Sequence, residues 1–183
     1  MFQSGKESRQ VVRSREWIFE ALLRLMGKKN FSDITITQIC KIAGVGRQTF
    51  YRRFTNKEDI IKYELERSFS DYLLNLFKLF GPTPSPEEII IEGFKHWKKN
   101  ARVHKLLIKH HMDGIFLKSL EQHYKFFREN NIIRSEWGAY LPEFALGGVL
   151  LVLMTWIKNG KQETPEEMGE IVSGFFNPRH LWK

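Results

Sequence analysis

The stretch that decides the fold is Ile34-Thr35-Ile36-Thr37-Gln38-Ile39-Cys40-Lys41-Ile42-Ala43-Gly44-Val45-Gly46-Arg47-Gln48-Thr49-Phe50-Tyr51-Arg52-Arg53-Phe54. Thr35 stands three residues before Gln38, the spacing of a capping box. There the hydroxyl and the carboxamide each satisfy a backbone N–H that a helix start leaves open. Ile36, Ile39 and Ala43 then form one apolar face at helical spacing. Gly44 ends this helix after about two turns, because glycine takes the left-handed conformation of a C-cap without steric cost. A second short helix, Arg47 to Phe54, follows almost at once. Phe50 and Phe54, four apart, face the core, small Ala43 lets the two helices cross closely, and Val45 fills the angle between them. A longer helix precedes them, Ser8 to Lys28, with Val11, Ile18, Leu22 and Leu25 near helical spacing. The three together predict a tri-helical helix-turn-helix unit.

The polar remainder of the second short helix is Arg47, Gln48, Thr49, Tyr51, Arg52 and Arg53, on or near its outer faces. Such a set suits DNA. Arginine and glutamine make bidentate bonds to base edges, and threonine and tyrosine reach phosphates. The charge distribution points the same way. The net charge is +8, and residues 1–60 hold 12 Lys and Arg against 6 Asp and Glu, so most of the excess sits in the first third. A one-sided basic segment favours a polyanionic partner.

The unit resembles the helix-turn-helix of the TetR family of bacterial one-component repressors. The Ala43-Gly44-Val45 turn, Thr49-Phe50-Tyr51, the closing Phe54 and the following Asn56-Lys57-Glu58-Asp59-Ile60-Ile61 stand at the family's spacing, over roughly residues 10–62. The resemblance implies that Arg47 to Arg53 is the recognition helix. It further implies that Tyr51 and Lys57 contact phosphate, with Thr35 or Thr37 doing so from the start of the supporting helix. The implied DNA-binding set is thus Thr35, Thr37, Gln38, Gly46, Arg47, Gln48, Thr49, Tyr51, Arg52, Arg53 and Lys57. Two positions depart from the family. Gly46 stands where serine is common, so the recognition helix lacks a side-chain N-cap. Gln48 stands where a small residue is common, so its base preference cannot be borrowed from relatives.

The rest of the chain also reads as helix, and the expected fold class is all-α with about nine helices. Thr55, three before Glu58, predicts another capping box opening a long helix through Phe80. Gly81-Pro82-Thr83-Pro84 is the clearest break. Ser85-Pro86-Glu87-Glu88 and Thr164-Pro165-Glu166-Glu167 each restart a helix with an N-cap, a proline at the first helical position and an acid at the third. Further helices are expected at Val103 to His111, Phe116 to Asn130, Glu143 to Lys158 and Pro165 to Phe176. The expected division is residues 1–55, the DNA-binding domain, and 56–183, a regulatory and dimerisation domain. The long helix from Asn56 to Phe80 is their covalent bridge.

The segment Phe144 to Ile157 carries no charge and is apolar on every face. It is too short for a membrane span, which needs about 20 residues. A small subunit has little interior to bury it all round, so one face is expected inside the subunit and the other against a symmetry mate. The expected interface residues are Phe144, Gly147, Gly148, Leu151 and Thr155, with the last helix alongside, and the glycines permit close approach. The family resemblance extends more loosely to Gly147 through Gly160 and Thr164 through Met168, and implies a helical ligand-binding and dimerisation domain.

Polar and aromatic residues on otherwise apolar helices are the ligand-site candidates: Trp97, Phe126, Trp137, Tyr140 and Trp156. His104, His110, His111 and Asp113 lack the spacing of a metal site and read as a histidine-rich surface turn. The single cysteine, Cys40, excludes a disulfide framework and reads as a small core residue. No catalytic set, Gly-rich phosphate loop or cofactor motif appears. The expected protein is therefore no enzyme and needs no cofactor. It is a cytoplasmic homodimer that binds a pseudo-palindromic operator in double-stranded DNA, most simply as a repressor answering to an unknown small-molecule effector. A regulator answering to a protein partner is the alternative.

Overall fold

The computed structural model describes residues 8–132 and 141–175. Among these are nine α-helices and no strand: α1 (Arg9–Met26), α2 (Ile36–Ala43), α3 (Arg47–Tyr51), α4 (Lys57–Phe80), α5 (Pro86–Lys99), α6 (Ala101–Lys109), α7 (Asp113–Glu129), α8 (Leu141–Lys158) and α9 (Pro165–Phe175). A 3-10 turn, Phe31–Asp33, joins α1 to α2. The chain divides after Leu65 into two compact units. The first turns of α4 thus belong with α1 to α3, later than the expected boundary after residue 55.

The first unit is built on Ile18, Leu22, Met26, Ile39, Phe50, Ile60 and Ile61, all fully buried. Phe54 joins them, with its ring 6.0 Å from Phe50 and 5.8 Å from Tyr63. Arg15 of α1 lies over the Tyr63 ring at 4.4 Å and donates to its hydroxyl at 3.3 Å, tying α1 to α4. Ala43 is half-buried and lines an open groove with Trp17 and Ala21 of α1, so its small size serves the α1–α2 packing as well.

In the second unit α5 and α9 pack closely against each other. Gly169 of α9 lies against Ile91, and Lys95 bridges Glu92 of its own helix (2.8 Å) to Glu166 of α9 (3.2 Å). A cluster of Tyr72, Leu73, Leu76 and Phe127 joins α4 to α7, with Phe69, Phe77 and Phe126 against it. The Tyr72 hydroxyl donates to the Ile89 carbonyl at 2.8 Å, and burial pushes its phenol well above the ordinary range.

Helix starts follow the sequence with one shift. Thr35, Ser85 and Thr164 each exchange bonds with the residue three further on. At α4 the expected Thr55–Glu58 box is replaced by a cap one residue later. Asn56 Oδ1 accepts from the Asp59 N–H (2.9 Å), and Asp59 accepts from the Thr55 N–H (3.2 Å). Asparagine is a stronger N-cap than threonine, and the competition was hidden because both stood before an acid.

Candidate nucleic-acid interface

The turn between α2 and α3 is made as its residues require. Gly44 sits at φ 66°, ψ 31°, and the Val45 N–H returns to the Cys40 carbonyl at 3.1 Å. Cys40 is buried, and burial pushes its thiol up, as befits a core residue. α3 starts at Gly46 with no side-chain cap and is shorter than the sequence predicts, ending at Tyr51. The Arg53 and Phe54 N–H groups both turn back to the Phe50 carbonyl, at 2.8 and 2.9 Å. The register still sends Phe50 and Phe54 inward.

Arg47, Gln48, Tyr51 and Arg52 are exposed, as are Thr35, Thr37, Gln38 and Gly46 at the start of α2 and the turn. Thr49 and Arg53 are half-buried, and Arg53 Nε donates to the buried Ser14 hydroxyl at 3.3 Å. Arg47 and Tyr51, one turn apart, share a side-chain hydrogen bond that raises the guanidinium pKa. Thr35 and Gln38 are both engaged in the α2 capping box. The DNA-binding candidates therefore gather on α2, the turn and α3, with Lys57 at the start of α4.

Lys57 has a surrounding of its own. Its Nζ donates to the carbonyls of Phe31 (2.5 Å), Ser32 (3.0 Å) and Ile34 (3.0 Å) and lies 4.5 Å from the Phe31 ring centroid. Lys29 Nζ takes the remaining carbonyl of this segment, Asp33 (3.1 Å), and also donates to Gln38 Oε1.

A chain with this turn, this core and this outward set has counterparts among known proteins. Residues 18–63 match the model of bacterial regulatory proteins of the tetR family, and residues 85–178 match that of a transcriptional regulator C-terminal region. The chain belongs to the TetR family. An uncharacterised HTH-type transcriptional regulator of Bacillus subtilis, YxbF, is 33% identical over 69 residues, covering 37% of this chain and 18% of that protein. One of Haemophilus influenzae is 32% identical over 68 residues, 37% of this chain and 36% of that protein. The chain thus spans well under half the length of these curated relatives. Solved structures extend the likeness to the whole fold. Lin0861 of Listeria innocua superposes with a TM-score of 0.81 at 16% identity, covering 95% of this chain and 94% of that one. A TetR transcriptional regulator of Streptococcus agalactiae gives 0.61 at 26% identity, covering 90% and 93%. The protein is a TetR-family regulator whose first unit is the family's DNA-binding helix-turn-helix.

The second unit distributes the aromatic candidates between two places. Trp97 and Trp156 both meet Phe94 edge-on, at 5.1 and 5.2 Å, and Trp156 Nε1 donates to the Glu163 carbonyl at 3.2 Å. Phe126 lies instead in the cluster around Phe69 and Phe127. Trp137 and Tyr140 fall outside the described residues. On α8, Phe144, Gly148, Leu151 and Thr155 are exposed along one stripe, while Gly147 is half-buried. Among the described residues, no atom of a neighbouring element comes within 4 Å of where a β-carbon on either glycine would stand. Leu150, Leu153, Trp156 and Ile157 are the buried side.

Histidines are where sequence reading fell short. His104 is only 4% exposed and packs edge-on against Phe116 at 4.9 Å, so it is interior and does not belong to a surface turn. Its helical spacing with Ala101 and Leu107, both buried, was the available sign. His111, by contrast, is exposed at φ 53°. His96 Nε2 meets the Ser68 hydroxyl at 2.6 Å and the Asn100 amide at 3.2 Å, both able to donate to it. His123 stacks on Phe69 at 3.5 Å and meets Ser119 at 3.1 Å. Burial lowers all three, His96 and His104 to about 4 and His123 to about 3. Both ring nitrogens of His104 are buried, and among the described residues neither has a hydrogen-bond partner. Among the described residues no group of three His, Cys, Asp or Glu is placed to hold a metal ion, and no helix is long and apolar enough to cross a membrane.

Proposed function

We propose that this regulator is a homodimeric repressor that binds a pseudo-palindromic operator and releases it when a small molecule binds in the second unit. The observation that carries DNA recognition is the exposed set Arg47, Gln48, Tyr51 and Arg52 on a short helix anchored by Phe50 and Phe54. Arg47, Gln48 and Arg52 read base edges in the major groove. Thr35, Thr37, Gln38, Thr49, Tyr51 and Arg53 hold the helix to the backbone, with the Gly46 turn beside them.

The α8 stripe supports the dimer. Phe144 and Leu151 are 69% and 65% exposed, and Ile171 and Phe175 on α9 are 44% and 48% exposed. Apolar surface of this kind is covered by an identical copy in an isologous pair, where Gly147, Gly148 and Thr155 leave room for close approach. Two recognition helices then meet successive major grooves, about 34–36 Å apart.

The unpaired ring nitrogens of His104 support a ligand. An uncharged imidazole offers one donor and one acceptor, and a buried polar group without a partner is destabilising unless something completes it. A small polar molecule entering among the aromatic side chains would do so, and would favour the conformation whose recognition helices are out of register with the operator. Such a protein works in the cytoplasm, beside the DNA it reads. The deciding experiment is selection of bound duplexes from a random-sequence library, followed by sedimentation of the complex. Two-fold sites bound by two chains are expected. A single asymmetric half-site bound by one chain overturns the dimer, and no enriched sequence overturns the DNA-binding reading.

A further inference from the structure

Four helices of the second unit bring imidazole and hydroxyl groups to one place. His96 comes from α5, His104 from α6 and His123 from α7, and His96 acts electrostatically on both of the others. α4 supplies Ser68, whose hydroxyl meets His96 Nε2 at 2.6 Å, and Phe69, whose ring stacks on His123 at 3.5 Å. Phe116, Ser119 and His123 recur at three- and four-residue spacing and so share one face of α7. Phe116 lies edge-on to His104, and the buried Ser119 hydroxyl meets His123 Nε2. His96 and His123 thus have hydrogen-bond partners, whereas His104 has none among the described residues at either nitrogen.

Charge around the cluster is one-sided. The ionisable neighbours of His96 are Asp71 and Tyr72 of α4 and Lys99 of its own helix, and Asp71 and Lys99 oppose each other there. Tyr72 also feels Glu92, which Lys95 bonds. Arg102, Lys105 and Lys109 of α6 and Lys118 and Glu121 of α7 are exposed. α8, packed on α6 and α7, has no charged side chain from Phe144 to Ile157. Among the described residues no carboxylate is bonded to any of the three rings. A cation brought to this place would meet no counter-charge. A weak acid can bring the proton that cancels its own charge, and its O–H matches the bare nitrogen of a neutral imidazole.

We propose that the second unit takes a small weak carboxylic acid, bound together with one proton, at His104 beside His96 and His123. The proton is shared between the carboxyl oxygen and a His104 nitrogen, and the apolar remainder of the acid lies among the aromatic rings. This deepens the effector reading above and rests on it. Burial holds all three rings uncharged near neutral pH. The carboxylate that predominates in solution there takes up one proton as it binds, so affinity rises as pH falls.

The test is calorimetric titration of the full-length protein with hexanoate, octanoate, benzoate and 4-hydroxybenzoate, and with the matching amides and amines. It runs from about pH 8 to about pH 6, in two buffers of different ionisation enthalpy, which count the protons. At least one acid should bind, about tenfold more tightly per pH unit and with one proton taken up. Its amide should bind at least tenfold more weakly, without pH dependence, and its amine not at all. His104→Phe keeps the ring and removes both nitrogens. It should weaken the acid at least a hundredfold and raise the urea midpoint, because the polar atoms it removes were buried unsatisfied. Nitrogen chemical shifts of the His104 ring in the wild type, with and without the acid, decide the contact if this variant fails to fold.

No binding by any acid of the panel overturns the proposal. An amide that binds as well as its acid, acid binding without proton uptake, or acid binding that survives His104→Phe also overturns it and leaves the effector reading standing. Acid binding that is lost in His104→Phe but leaves operator affinity unchanged in the wild type defeats the effector reading and keeps the site.

Discussion

A β-carbon placed on Gly169 would stand 2.2 Å from Ile91 Cγ1, closer than any real contact. The two residues set the distance between α5 and α9, and the Lys95 bridges to Glu92 and Glu166 lie on the same pair of helices. Ile91 is β-branched, so its Cγ1 cannot swing aside freely. Gly169→Ala is expected to destabilise the second unit by about 1–3 kcal/mol, the range of overpacked cores. Adding Ile91→Ala should recover part of that loss. Urea unfolding of both single variants and the double variant measures the coupling. Simple additivity would mean that α9 sits elsewhere on α5.

The dimer is testable at Gly148, which is exposed and has open space where a side chain would go. Arginine there should therefore leave the subunit folded. At an isologous interface it would bury two unpaired guanidinium groups near the two-fold axis, at a cost of several kcal/mol. Sedimentation should find Gly148→Arg monomeric with unchanged helicity, and operator affinity should be lost. A dimer of full affinity would place the interface away from α8.

Recognition is testable at Gln48 and Arg52, both exposed on or just after α3. Replacing either with alanine should relax preference at particular base pairs by about 1–3 kcal/mol each. Binding-site selection with each variant reads this directly. Unaltered preference in both would remove α3 from the major groove.

Buried histidines make the second unit sensitive to acid. His96, His104 and His123 are held uncharged by burial, to about 4, 4 and 3, with Asp71 opposing and Lys99 assisting at His96. The unfolded chain takes up their protons at an ordinary pKa near 6.5, above the folded values, so unfolding absorbs protons between these limits. Stability is then fully present above about pH 6.5 and falls as pH drops toward 4, by up to about 1.4 kcal/mol per pH unit for each histidine. His123→Phe, which preserves the stack on Phe69, should reduce that slope by about one proton. Chemical unfolding at a series of pH values checks it, and a flat profile from pH 7 to 4 would contradict the burial of these rings in solution.

The helix-turn-helix was legible because each of its local choices agrees with the fold. Gly44, the Thr35–Gln38 box and the Phe50–Phe54 spacing all depend on neighbours within four residues. The apolar α8 and the restarts at Ser85 and Thr164 were legible for the same reason. What was missed depends on distant partners. Nothing local tells that Lys57 meets carbonyls more than twenty residues earlier, or that Ile91 confines Gly169. His104 was read with the turn that follows it, although its own helix buries it. The Asn56 cap was obscured because two candidate caps stood side by side, each with an acid three residues on.

The two compact units share α4, with the division after Leu65 in mid-helix. Exchange of units between related proteins is therefore a question of helical phase. Each residue inserted or deleted at this junction turns everything beyond it by about 100° and shifts it by about 1.5 Å along the axis. A graft that adds one residue would put the face of α4 beyond Leu65 out of phase with the face before it, even if every side chain on both sides were ideal. Seven added residues nearly restore the rotation, at the cost of about 10 Å of separation. Chimeras of this fold should accordingly keep the residue count through α4, and a cut at Gly81-Pro82 would take Tyr72, Leu73 and Leu76 away from Phe127, so a fragment meant to carry the first unit alone ends close to Leu65.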